Sequence, residues 1–147
     1  MNKTVVNLLV AVFFTLIAVQ VILSMRQKSA TFDEGAHLSA GYSYLKTGDF
    51  RLNKEHPPLI KMLASIPLFF LNLDFPYEKH SWIRGNEWEF SDLFIYHNRT
   101  SAEKILFLGR IPILILSLIL GFFVFQWSKE LYGLKSGLFA LFLYTFS

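Results

Sequence analysis

Two long apolar blocks constrain this chain more than anything else in it. Val5 to Leu23 contains no charged residue, and Ile105 to Trp127 contains only Arg110, with Pro112 close behind it. A helix rises about 1.5 Å per residue, so roughly 20 apolar residues cross the ~30 Å hydrocarbon layer of a bilayer. Both blocks reach that length, which predicts spans over residues 5–24 and 105–127. The first is longer than the apolar region of a secretory signal, and Lys28-Ser29-Ala30 is a poor small-x-small cleavage site, so it reads as a retained span. A third apolar block begins at Leu134 and reaches Ser147. Residues 134–147 would rise only about 21 Å as a helix, the expectation for an incomplete span in a longer protein; a short re-entrant or surface helix is the alternative. Lys3, Lys129 and Lys135 fit the cytoplasmic side by the positive-inside rule, which places residues 25–104 in a long outer loop.

Composition narrows the function. Hydrophobic residues make up 53% of the chain, gathered into blocks rather than distributed with the periodicity of a soluble core. The net charge is only +3, and basic and acidic residues alternate between Arg26 and Lys104. Nucleic-acid binding needs basic clustering on one face, so no nucleic-acid partner is expected. The absence of cysteine excludes a disulfide framework, a thiolate metal site and a Cys nucleophile. The chain also carries no nucleotide-binding loop, no nucleophilic serine elbow, no internal repeat and no low-complexity tract. The expected class is an all-α membrane protein, multi-pass and integral, with the lipid bilayer as one partner.

Chemistry-bearing residues concentrate between Thr31 and Phe70. Thr31-Phe32-Asp33-Glu34 has the form of a capping box, with Thr31 as N-cap and Glu34 reaching back to it. A helix over about 32–46 follows, closed by Gly48. Asp33, His37, Gly41 and Tyr44 share one face at helical spacing, and Gly35, Ala36, Ser39, Ala40 and Gly41 leave room for another helix to approach closely. Lys54-Glu55-His56-Pro57-Pro58 is a stiff corner, because each proline drives its predecessor toward extended geometry. A second helix over about 58–73 carries Leu59, Met62, Leu63, Ile66 and Phe70 on one side and a narrow stripe of Lys61, Ser65 and Asn72 opposite. Pro67 and an early charge suit it to the membrane interface rather than to spanning. Residues 74–104 read as polar and aromatic, with Tyr77, Trp82, Trp88 and Tyr96 typical of a headgroup zone.

The motifs fall in a telling order: Asp33-Glu34, then G-Y-x-Y-x-x-x-G-D from Gly41, N-x-E-H-P-P-L-x-K from Asn53, Gly109-Arg110, and L-Y-G-x-x-x-G from Leu131. In that order and spacing the chain resembles the N-terminal part of the polyprenyl-phosphate-sugar glycosyltransferases of the GT-C superfamily. The protein O-mannosyltransferases and the lipid A aminoarabinose transferases are the nearest branches. The resemblance covers nearly all of this chain but only the beginning of such an enzyme. It implies a GT-C fold, a polyprenyl-phosphate-linked sugar as donor, a protein or lipid hydroxyl as acceptor, and the inner or plasma membrane if the source is prokaryotic. It also implies that this piece alone is inactive, since later spans and a second outer carboxylate would be missing.

An acceptor hydroxyl is a poor nucleophile, so a carboxylate base beside it helps. The resemblance gives that role to Asp33, with Glu34 as the alternate; both acids could instead merely cap the helix. His37 either orients Asp33 across one helical turn or faces solvent. The resemblance points to Glu55 as a divalent-metal ligand, with His56 as ligand, phosphate contact or a plain corner residue. Two protein ligands do not complete a zinc site, and the remainder would come from a later loop. No nucleotide cofactor is expected. Arg110 is the leading candidate for the carrier phosphate, since guanidinium matches phosphate oxygens in a bidentate fork; a snorkelling anchor is the alternative. Lys61 is the second phosphate candidate. The aminoarabinose transferases carry arginine where this chain has Ala36 and lysine where it has His56, departures that favour the O-mannosyltransferase-like branch. Asn98-Arg99-Thr100 is a glycosylation acceptor pattern. A non-catalytic binding or assembly subunit and a structural membrane protein are the competing functional classes.

Overall fold

The structure is a computed structural model and describes residues 2–146. Regular structure among the described residues is entirely helical: α1 Lys3–Gln27, α2 Glu34–Thr47, α3 Pro58–Ser65 followed by a 3-10 helix Ile66–Phe70, α4 His80–Arg84, α5 Glu87–Tyr96, α6 Ala102–Tyr132 and α7 Leu134–Thr145. Helices α1 and α6 are long and apolar enough to cross a membrane. Only 6% of the most apolar window of α1 is buried, against 28% for α6, whereas the core helix of a soluble protein would be mostly covered. Leu8, Val12, Val19 and Leu23 all lie exposed along α1. Helix α7 is shorter than either, and Ser147 of the third apolar block lies outside the described residues.

The chain divides into two compact units. One takes the segment up to Met25 together with the segment from Leu114 onward. Its core is Ile17, Phe125 and Leu141, with Phe13, Phe14 and Leu138 against it. The Tyr144 hydroxyl donates to the Ser117 carbonyl at 2.8 Å, giving a ring in apolar surroundings a partner for its polar end.

The other unit, Arg26–Ile113, holds every candidate site residue. Helix α2 is its axis: Gly35, Ala36 and Leu38 through Tyr44 are all buried. Small residues make this possible. A side chain at Gly41 would overlap the Lys61 carbonyl, so α3 crosses α2 with its backbone against the glycine. The Ser65 hydroxyl, fully buried at that crossing, donates to the Leu38 carbonyl at 2.8 Å. Gly48 ends α2 in the left-handed region, at φ 71°, its N–H reaching the Tyr44 carbonyl at 2.9 Å. On the other side of α2 the rings of Tyr42, Phe75, Trp82, Phe90 and Phe94 pack at centroid separations of 5.0 to 6.2 Å.

Three features differ from the sequence expectation. First, the helix expected over 58–73 is α-helical only to Ser65. Pro67 supplies no N–H and its ring crowds the carbonyl four residues back, so the chain tightens to 3-10 geometry and is extended by Leu71. Second, that helix is inverted relative to a soluble one: Lys61 and Ser65 are buried, while Leu59, Ile60, Ile66 and Phe70 are exposed. Third, residues 74–104 contain two helices that the aromatic reading passed over. Helix α5 is announced by Asn86-x-x-Glu89: the Asn86 side chain accepts from the Glu89 N–H at 3.3 Å and donates to the Glu89 carboxylate at 3.3 Å.

Candidate functional site

The site is built around the first turn of α2. The helix starts two residues later than the capping-box reading, at Glu34, with Asp33 in the N-cap position. Glu34 does reach back, accepting from the Thr31 N–H at 3.1 Å, but Thr31 gives its hydroxyl proton to the same carboxylate instead of capping the helix. The reason lies seventy-six residues along the chain. Arg110 forks onto Glu34, Nε to Oε1 at 2.6 Å and a terminal nitrogen to Oε2 at 2.7 Å, and donates to the carbonyls of Lys28 and Ser29 at 2.9 Å each. Two parallel charge-assisted bonds are the strongest arrangement a guanidinium and a carboxylate form.

Burial works against the charge on Glu34, but the bonds from Arg110 and Thr31 more than offset it and hold the carboxyl below its ordinary value of 4.5. A depressed carboxylate stabilises the fold above its unfolded value and loses that contribution as pH falls through the folded one. Stability should therefore fall on acidification below about pH 4.5. Glu34→Gln should cost about 2–3 kcal/mol at neutral pH and flatten the acid limb, as thermal unfolding across that range would show; breaking a fully buried pair costs ~3–5 kcal/mol, and this one is 14% and 21% exposed. An unchanged acid limb in Glu34→Gln would refute the assignment.

Asp33 is free of that lock. Its side chain is 58% exposed and meets His37 Nε2 at 3.3 Å, one helical turn away. His37 in turn places Nδ1 3.0 Å from Asn53 Oδ1, and its ring stands edge-on to His56 with centroids 5.1 Å apart. The structure thus brings Asp33, His37 and His56 together, beside the Glu34–Arg110 pair that follows Asp33 directly in the chain. Glu55 lies in the wall of an open cleft of about 550 Å³, shared with Asp49, Arg51, Asn53, Lys54 and Glu87.

The phosphate candidates are both engaged within the fold. Arg110 spends at least four of its five N–H donors on Glu34, Lys28 and Ser29. Lys61 is 4% exposed; its ammonium donates to the Asn53 carbonyl at 2.5 Å and the His56 carbonyl at 2.9 Å. Burial lowers its pKa, with Glu87 and Glu55 opposing. Lys61 therefore clamps the Glu-His-Pro-Pro corner from within. Among the described residues no three His, Cys, Asp or Glu side chains gather to hold a metal ion. Glu55 and His56 supply at most two protein ligands, fewer than a zinc site takes.

Two residues of the site had no assigned role in the sequence reading. Asn53, 5% exposed, has a φ of 44°, the one positive value outside glycine among the described residues. Its backbone carbonyl accepts from Lys61 and, at 3.2 Å, from the Tyr44 hydroxyl, which also donates to the Leu52 carbonyl. Its side-chain amide donates to Glu87 Oε1 at 3.1 Å. The signal for Asn53 was its place at the head of the N-x-E-H-P-P motif, since asparagine tolerates the left-handed region better than other side chains. Glu87 gave only a weak local hint, as an acid in the first turn of a helix. No protein-family model, curated protein or solved structure matches this chain.

Proposed function

We propose that this chain is the N-terminal part of an integral membrane glycosyltransferase of GT-C type, which moves a sugar from a polyprenyl-phosphate carrier to a hydroxyl of a protein or lipid acceptor. Helices α1 and α6 are its first two spans, and Asp33 is its general base. One observation supports this above the rest: of two adjacent acids, Glu34 is neutralised by Arg110 while Asp33 stands exposed with a histidine at 3.3 Å. A base must be reachable and able to take a proton, and only Asp33 meets both conditions.

In the reaction the acceptor O–H bond breaks as its proton passes to Asp33. The acceptor oxygen bonds to the anomeric carbon, and the bond from that carbon to the phosphate oxygen breaks, with the electron pair leaving on polyprenyl phosphate. Carrier phosphate would compete with Glu34 for Arg110, the guanidinium that holds the first turn of α2. The test is reconstitution of the full-length protein in liposomes with polyprenyl-phosphate sugars and candidate protein and lipid acceptors. Release of polyprenyl phosphate coupled to acceptor labelling is the expected result. No turnover with any donor in a panel of hexose, aminosugar and pentose carriers would remove the proposal.

A further inference from the structure

We propose that Phe32 and Trp88 form a stacking platform for a pyranose ring, with Asp33 at its edge. That the ring is the donor's sugar rests on the glycosyl-transfer reading above; the affinity for a pyranose does not. The platform begins with two aromatic side chains left in the open. Phe32 lies in the turn before α2 and is 89% exposed, and Trp88 lies in the first turn of α5 and is 47% exposed. Their rings meet at a centroid separation of 4.9 Å, tilted by 42°. Local sequence does not require this pairing. The residue before an N-cap commonly packs on the fourth residue of its own helix. Here that residue is His37, which is taken by Asp33 and Asn53, and Phe32 reaches across to α5 instead.

A closed circuit of contacts fixes the platform beside the proposed base. Phe32 touches Trp88, whose neighbour Glu87 accepts from the Asn53 amide at 3.1 Å. Asn53 Oδ1 lies 3.0 Å from His37 Nδ1, His37 Nε2 lies 3.3 Å from Asp33, and Asp33 follows Phe32 in the chain. The two rings and the two carboxylates therefore border one patch. Its chemistry matches a saccharide. The face of an aromatic ring is electron-rich and takes the weakly positive C–H bonds of a sugar, while ionised carboxylates only accept and suit its hydroxyl donors. Other occupants match less well. Hydrocarbon laid on the rings would desolvate Asp33 as well, a large cost for an unpaired charge. An apolar protein surface meets the same penalty. A pyranose lying on the rings presents its edge to Asp33, where the acceptor hydroxyl is to lose its proton.

The experiment is ¹⁹F NMR on the full-length protein labelled with 5-fluorotryptophan in lipid nanodiscs. Trp88→Phe identifies the Trp88 signal, and Trp82 and Trp127 serve as references. Methyl pyranosides of hexoses, pentoses and aminosugars are the probes. At least one should move the Trp88 signal saturably, leave Trp82 and Trp127 in place, and lose its effect in Phe32→Ala. No movement with any pyranoside overturns the proposal. So does broadening of Trp88 by spin-labelled lipid as strong as that of Trp127 in α6, which would make Trp88 a headgroup anchor. In the transfer assay Trp88→Ala and Phe32→Ala should each raise KM for the sugar-charged carrier about three- to tenfold, the worth of one aromatic contact. Inhibition by bare polyprenyl phosphate, which has no sugar to stack, should not weaken, and Trp88→Tyr should restore most of the lost affinity. Equal losses for charged and bare carrier, or an unchanged KM, overturn the donor assignment. Wild-type protein that binds pyranosides but transfers no sugar strikes the glycosyltransferase reading and leaves the platform standing.

Discussion

Asp33→Asn in the full-length protein should reduce sugar transfer by about 10²–10⁴-fold, the range that removal of a general base commands. The substitution keeps the volume of the side chain and leaves a polar group in reach of His37 Nε2, which Asp33 now meets at 3.3 Å. Because Asp33 is 58% exposed and makes no side-chain cap to α2, the thermal midpoint should stay within a few degrees of wild type. That combination, chemistry lost and fold kept, separates a base from a structural acid. Glu34→Gln should do the opposite, lowering stability while leaving more transfer per folded molecule than Asp33→Asn. The measurement is initial rate at saturating carrier, with binding of the carrier followed separately. Turnover by Asp33→Asn at a rate near wild type would eliminate Asp33 as the base, and with it the single residue on which the proposed reaction depends.

Gly41→Ala should destabilise the Arg26–Ile113 unit by about 2–4 kcal/mol, at or just beyond the usual range for overpacking a core. An alanine in a helix interior normally gains up to about 1 kcal/mol over glycine, so the sign itself is diagnostic. The added methyl would run into the Lys61 carbonyl and lie 2.6 Å from Ser65 Oγ. A carbonyl inside a helix cannot swing aside as a side-chain end can, so α2 and α3 would have to separate. Separation also loosens the Ser65 bond to Leu38 and the Lys61 clamp on Asn53 and His56. Gly48→Ala is the control: open space surrounds that position, and the cost should be only the ~1 kcal/mol of placing a side chain in left-handed backbone. Thermal unfolding in detergent or nanodiscs would compare the two. Gly41→Ala as stable as wild type would mean that the α2–α3 crossing is looser than described.

Much of the local structure was legible from residue type alone, for reasons that operate within a few residues. Long apolar runs, charge-free in α1 and carrying only Arg110 in α6, forecast the two helices because unpaired charges and lipid do not mix. The stripe of small residues on α2 announced a close helix crossing, and Gly48 its end, because both are requirements of backbone sterics. Local reading failed where a partner was distant. Thr31 looked like an N-cap because nothing nearby reveals that Arg110 competes for Glu34. The stripe of Lys61, Ser65 and Asn72 suggested a helix lying along the interface, whereas Lys61 and Ser65 turn inward onto the carbonyls of Asn53, His56 and Leu38, with Gly41 of α2 leaving room for the crossing.

The same division runs through the site. Spacing by itself put Asp33 and His37 on one face of a helix, since residues four apart must be neighbours on any α-helix. Which of two adjacent acids is free, which way the His37 ring is turned, and that Asn53 and Glu87 belong to the site at all were decided only by the tertiary structure. Each depends on hydrogen bonds between residues sixteen to seventy-six positions apart. A pattern of apolar and polar residues constrains what each segment becomes. It carries no information on the angle and distance at which two such segments meet, and that geometry is what a hydrogen bond requires.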